Sequence, residues 1–339
     1  MLCFCILTQY TAVAQDGSDQ LEWIAPQALK RGDLIAFVAA SGPGDEFQVK
    51  TYATKLRSEG YRVLVPDGLG SRKQGYLAGT DDERVHELNS MIRNPEVRAI
   101  FPIRGGYGLT RILDRIDYAA LRNDPKVVTG YSDVTALHLA IARHCQVITF
   151  HAPMPMSDLW KGDQTEFAFA YRSFNRTLFA DQYTDGKKGF VVPAPEGLRP
   201  ETLVQGVAKG RLMGGNLTMI CSTMGTPYAL DPAGTILFIE DVHEAPYRVD
   251  RSLSQLKLAG FLSQIKGVII GDFSSKDATD DKEFSRIFQE YFSTLSIPVI
   301  CRFPVGHVAK NATLPHGAWV ELDANRGELR LLENPVQFK

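Results

Sequence analysis

Three polar stretches of this chain carry residue types suited to acyl-transfer chemistry. The first is GYSD at 130–133, which follows the apolar run KVVT and precedes the helix-period run VTALHLAIA. A serine at a strand-to-helix turn has an exposed hydroxyl, with backbone N–H groups aimed toward it and a helix N-terminus that favours developing negative charge. Ser132 is therefore a candidate nucleophile. Serine is also a common helix N-cap, and GYSDV lacks the second glycine of a G-x-S-x-G elbow, so the local pattern leaves both roles open. The second stretch, TILFIEDVHEAPYRVDR, is a hydrophobic strand ending in Glu240-Asp241, and in the third, PVICRFPVGHVAKNATLPHG, His307 follows a strand and a glycine. A serine needs a base to take its proton, and an imidazole needs a partner to hold its tautomer and stabilise its cation. Ser132, His307 and Glu240 could fill those three roles, although a single histidine more often serves as an ordinary hydrogen-bonded residue. A further loop, RGGYG at 104–108, follows the strand RAIFPI and could bring N–H groups to a phosphate or an oxyanion. It matches neither G-x-G-x-x-G nor a P-loop, and a tight turn accounts for it equally well.

The elements that must position these residues follow from the hydrophobic periodicity. From residue 33 to about 150, short β-rich runs (LIAFVAA, RVLVP, RAIFPI, KVVTG) alternate with helix-period runs such as TDDERVHELNSMIRN. Such alternation predicts a parallel sheet covered by helices on both faces, with ligands at the carboxyl ends of its strands. Residues 156–201 change character and read as an extended connection, ending in the Pro-rich VPAPEG. A second unit over 202–336 contains the strands TILFIED, KGVIIGDF and PVICRF and a terminal hairpin turning at Asn325-Arg326-Gly327.

With 37 basic and 39 acidic residues and no long block of either sign, the chain does not look like a nucleic-acid or membrane-surface binder. No run approaches the ~20 apolar residues a membrane span needs. At the N-terminus, an apolar run at 2–7 followed by Ala12-Val13-Ala14 has the form of a secretory leader over 1–14, though no Lys or Arg precedes the run. Periplasmic or exported location is the expectation, cytoplasmic the alternative. Cleavage would leave Cys145, Cys221 and Cys301, an odd number in apolar contexts, read as buried free thiols rather than a disulfide or metal framework. No cofactor or metal motif, HExxH included, is apparent.

Taken together, SGPG at 41–44, RGGYG, GYSD, GGNL at 214–217, IEDV with PYRVDR at 239–251, and GH with TLPHG at 306–317 resemble, in this order, the LD-carboxypeptidase family of serine peptidases, which includes muropeptide-trimming and microcin-immunity types. The resemblance implies an α/β fold: an N-terminal flavodoxin-like parallel-sheet domain over 27–155 carrying the nucleophile, and a smaller C-terminal mixed, β-barrel-like domain carrying Glu and His. Position by position it implies Ser132 as nucleophile, Glu240 and His307 as its partners, backbone N–H groups of Gly105, Gly106 and Asp133 as oxyanion donors, no metal, and a homodimer. It also implies release of D-alanine from murein tetrapeptides after an L-centre diaminopimelate or lysine. PYRVDR favours this branch over hydrolysis of another amide, such as a peptidyl-nucleotide antibiotic, for which the aromatic segment 160–174 would be the deciding substrate loop. A non-catalytic exported murein binder is the rival from another class; it has no need to keep all three polar residues.

Overall fold

The computed structural model describes residues 22–156, 164–180, 188–274 and 280–338, so the leader expected at 1–14 and Trp160 lie outside the described residues. β-Branched and aromatic runs build the first sheet from β1 (Leu34–Val38), β2 (Arg62–Leu64), β3 (Val97–Pro102), β4 (Val127–Gly130) and β5 (Thr149–His151). The helices between them are α1 (Glu46–Ser58), α2 (Asp81–Arg93), α3 (Tyr118–Asn123) and α4 (Val134–Cys145). In α1 the buried Val49, Tyr52, Ala53 and Leu56 fall on one helical face, and Asp45 caps the start by accepting the Gln48 N–H. In α2 the Thr80/Glu83 capping box satisfies two free N–H groups at once. The strand order β2-β1-β3-β4-β5 is parallel throughout, the flavodoxin-like order. Its direction reverses between β1 and β3, which opens a crevice at their carboxyl ends, where SGPG and RGGYG lie.

Residues 156–201 depart from the extended connection expected of them. They contain α5 (Gln164–Leu178), whose Phe169, Phe174 and Leu178 are buried. The helix-compatible spacing of these aromatics was masked by the Pro- and Gly-rich residues that follow.

The second sheet contains β6 (Glu201–Val204), β7 (Val207–Asn216), β8 (Thr235–Val242), β9 (Gly267–Ser274), β10 (Val299–Cys301), β12 (Trp319–Asp323) and β13 (Glu328–Leu331), with α6 (Leu217–Thr223), α7 (Pro246–Leu258) and α8 (Asp281–Phe292) in the connections. β7 to β10 run parallel at its centre, and antiparallel strands flank them in the order β13-β12-β7-β8-β9-β10-β6. The fold is thus mixed α/β, with a parallel first sheet and a mixed second one. One element crosses between them: β11 (Leu314–His316) pairs antiparallel with β5 and becomes the sixth strand of the first sheet. Cys145 is buried, Cys221 and Cys301 are half-buried, and all three are free thiols whose pKa burial pushes up. Among the described residues, no helix is long and apolar enough to cross a membrane.

Candidate active site

Ser132 sits between β4 and α4 with φ 63°, in the left-handed region that a residue bearing a Cβ rarely adopts. Such a conformation costs of order 1–3 kcal/mol and persists only where the surroundings enforce it. Here they do. Gly130, at φ 135°, passes so close to Val134 that an added Cβ would lie 2.8 Å from its side chain. The His138 ring nitrogen Nε2 lies 2.9 Å from the Gly130 carbonyl oxygen and fixes the turn from the α4 side. No side-chain cap bond forms at the start of α4, and the Ser132 carbonyl accepts the Thr135 N–H at 2.9 Å.

Glu240 and His307 come from the second sheet. The β8 run TILFIEDV alternates faces, so the two adjacent carboxylates part company. Glu240, with no exposed surface, has Oε2 2.7 Å from His307 Nδ1. Asp241 turns away and serves α6, accepting the Thr218 N–H at 2.9 Å, the Thr218 hydroxyl at 2.8 Å and the Asn216 amide at 2.8 Å. Burial pushes the Glu240 carboxyl upward in pKa and the facing imidazole pulls it back down. His307 reaches Glu240 because Gly306 carries no side chain: a Cβ there would stand 3.0 Å from the Glu240 Cβ. The Gly306 N–H donates to Asn311 Oδ1, holding the loop. The Tyr131 ring packs edge-on against His307 at 4.7 Å, on the side facing the elbow.

Ser132 and His307 both line a cleft of about 380 Å³, together with Gly105, Gly106, Arg104, Tyr131 and the 43–45 loop. Gly105 lies close against Ser132: an added Cβ would lie 2.9 Å from the Ser132 Cβ and 3.1 Å from its Oγ. Among the described residues, the N–H groups of Gly105, Gly106 and Asp133 have no backbone acceptor. Gly105 and Gly106 line the cleft with Ser132, and Asp133 follows it in the chain. The Asp133 side chain points inward, where it accepts the Ser41 hydroxyl at 2.6 Å and the Leu109 N–H at 3.0 Å, tying the β1, β3 and β4 loops together. Burial raises its pKa and these donors oppose the rise. A larger cavity of about 690 Å³ between α8 and the β9–β10 edge contains none of Ser132, Glu240 or His307.

Sequence reasoning missed what lies behind the site. His138, His151 and His316 are completely buried where the two sheets meet; His138 and His316 stack at 4.7 Å, and Phe238 of β8 lies edge-on to both His151 and His316. Burial lowers the pKa of all three, His138 to about 4, so they are neutral. Their only signal in the sequence was an apolar neighbourhood. Ser41 and the GGNL residues were noted without roles. Ser41 anchors Asp133, and Gly215 is bare because β7 meets α4 there, with the Asn216 N–H donating to Thr135 Oγ1 at 3.1 Å. The aromatic segment 160–174, the candidate substrate loop, contributes Phe169 and Phe174 to the core, and Trp160 lies outside the described residues.

Residues 35–152 match the family model described as the LD-carboxypeptidase N-terminal domain, and residues 209–322 match its C-terminal domain. A probable murein peptide carboxypeptidase of Bacillus subtilis is 37% identical over 299 residues, covering 86% of this chain and 89% of that one. A murein tetrapeptide carboxypeptidase of Pseudomonas aeruginosa is 32% identical over 269 residues, covering 74% and 80%. Among solved structures, a mutant of the microcin C7 self-immunity protein MccF with adenosine monophosphate superimposes with a TM-score of 0.84 at 24% identity, over 93% of this chain and all of that one.

Proposed function

From the premise that this chain belongs to the LD-carboxypeptidase family and is a serine carboxypeptidase, we propose that it removes the terminal D-alanine from murein tetrapeptides through an acyl-enzyme on Ser132. The bond cut joins the carbonyl of an L-centre, diaminopimelate or lysine, to D-alanine. The observation that carries the proposal is the 2.7 Å contact between His307 Nδ1 and the buried Glu240, with His307 and Ser132 lining one cleft.

With Nδ1–H donated to Glu240, Nε2 is the basic nitrogen of His307. It takes the Ser132 proton as Oγ attacks the carbonyl, and the resulting imidazolium is stabilised by the carboxylate. The N–H groups of Gly105, Gly106 and Asp133 receive the oxyanion. Because they are fixed before the substrate arrives, no reorganisation is needed as charge develops. His307 then protonates the leaving amine, D-alanine departs, and water activated by the same imidazole releases the shortened peptide.

The names of the curated relatives support a murein peptide substrate. The likeness to MccF supports a second reading, hydrolysis of a peptidyl-nucleotide amide on the same scaffold. Export after cleavage near Ala14 and a homodimer complete the proposal; N-terminal sequencing of the mature protein and light scattering on the purified one test them.

The deciding experiment is mass spectrometry after incubation with a disaccharide-tetrapeptide and the matching tripeptide. Loss of one alanine from the tetrapeptide alone, absent in Ser132→Ala, is the expected result. An active Ser132→Ala enzyme would remove the serine from its role, and an inert wild type with a stable fold would shift attention to the nucleotide-linked amide.

A further inference from the structure

We propose that Arg104 reads the terminal carboxylate of the substrate and so makes the enzyme an exopeptidase. The inference rests on the carboxypeptidase function above and adds the residue that sets its end-specificity.

An enzyme that removes only a last residue must distinguish a chain-terminal carboxylate from an internal peptide group. In a cleft, the lost hydration of that carboxylate is best replaced by a cation that can offer paired N–H donors. Arg104 is the only lysine or arginine lining the cleft among the described residues. It adjoins Gly105, which touches Ser132. The carboxylate of a leaving D-amino acid lies one Cα from the scissile nitrogen, so its receptor must stand within about a residue's width of the nucleophile.

The guanidinium is exposed at the cleft and is not used up by the protein. It lies against the SGPG loop, where a Cβ on Gly42 would be in ordinary contact with it, 3.4 Å from Arg104 Nε and 3.7 Å from Cζ. The Gly42 N–H donates to the Gly105 carbonyl at 3.2 Å, locking the two loops together. Nη1 makes one long bond, 3.4 Å, to the Pro43 carbonyl, and among the described residues no carboxylate pairs with Arg104. Most of its five donors are thus left for a ligand. SGPG, which the acyl-transfer steps do not use, gains a role as the bed on which the carboxylate receptor rests.

The test compares a tetrapeptide ending in D-alanine with the same peptide ending in D-alaninamide, for wild type, R104A and R104K. Wild type should prefer the acid. The acid-to-amide ratio of kcat/KM should fall roughly 100-fold in R104A, the scale of a lost charge-assisted contact. R104K, which keeps the charge but not the fork, should fall between. Protection of Ser132 from covalent labelling by a fluorophosphonate gives a readout independent of turnover. The acid should protect wild type better than the amide, and R104A should lose that advantage. If wild type cleaves neither peptide, the murein substrate fails while the protection data still judge Arg104. An acid-to-amide ratio that R104A leaves intact, or protection of wild type that does not differ between the two peptides, overturns the assignment.

Discussion

At the β4–α4 turn, position is set by backbone: Ser132 is held at φ 63° with Gly130 before it, Gly105 against it and Asp133 locked behind it. At the end of β8, position is set by side chains: a buried carboxylate grips one ring nitrogen of His307. The first arrangement depends on volume, because several contacts exist only where a Cβ is missing. The second depends on charge, because a buried carboxylate facing an imidazole has no aqueous substitute. A site assembled this way should fail in two distinguishable manners, sterically on one side and electrostatically on the other.

The largest expected effect removes the reacting atom itself. Ser132→Ala should lower kcat by about 10⁴–10⁶-fold with an unaltered melting transition, since alanine keeps the Cβ and with it the backbone strain. Glu240→Gln keeps the shape of the base half and removes its charge, and should lower kcat by roughly 10³–10⁴-fold with a small change in KM. If the glutamine variant retained near-normal turnover, the base half would be a matter of shape like the other, and the contrast would collapse. Gly105→Ala adds one methyl group where the contact is already closed and should cost about 10²–10³-fold, by displacing Ser132 and the neighbouring N–H donors. Steady-state rates of these three variants on one tetrapeptide settle the order.

The smallest effect on rate but the broadest on the molecule comes from pH. Burial pushes His138 down to about 4 and His151 and His316 well below the usual imidazole value of 6.5. Below pH 6.5 the unfolded chain takes up protons that the folded chain refuses. Stability is therefore full above that pH and falls as the solution is acidified through it. Each histidine contributes about 1.4 kcal/mol per pH unit until its folded-state value is reached. Urea midpoints measured between about pH 7.5 and 5 should drop steeply. His138→Gln, which keeps a donor for the Gly130 carbonyl, should flatten the drop; an unchanged slope would show that His138 is not held neutral.

Much of this arrangement could be read from residue patterns. The alternation of β-rich and helix-period runs led to the parallel sheet because both faces of its central strands are buried, and the helix-period run TDDERVHELNSMIRN became α2. The strand-to-helix turn at GYSD was visible between KVVT and VTALHLAIA, while the choice between a cap and a nucleophile for Ser132 came only from the ordered set of motifs. What stayed hidden depended on distant partners. The ten-residue β7 carries Gly210, Gly214 and Gly215, which weaken any strand signal, yet those glycines are there so that Gly234, Phe238 and Thr135 can approach. Whether Glu240 or Asp241 faced the histidine rested on the phase of β8, which pairing with β7 and β9 fixes. The three buried histidines look polar in sequence, and only the meeting of two sheets puts them in the interior.

The crossing of β11 into the first sheet has its own consequence for how the molecule comes to exist. On a ribosome, residues 22–156 emerge long before 314–316, and until then β5 is an open edge. The pairing of Leu314 with His151 closes a loop of nearly half the chain, a late step with a high entropic cost. The half that carries Ser132 cannot complete its sheet as an independent body. Expressed alone it would present β5 as a sticky edge, and in the intact protein its completion coincides with the arrival of His307 a few residues upstream of the closing strand. Docking of that strand therefore also brings His307 toward Ser132, so completing the first sheet and assembling the cleft are one event.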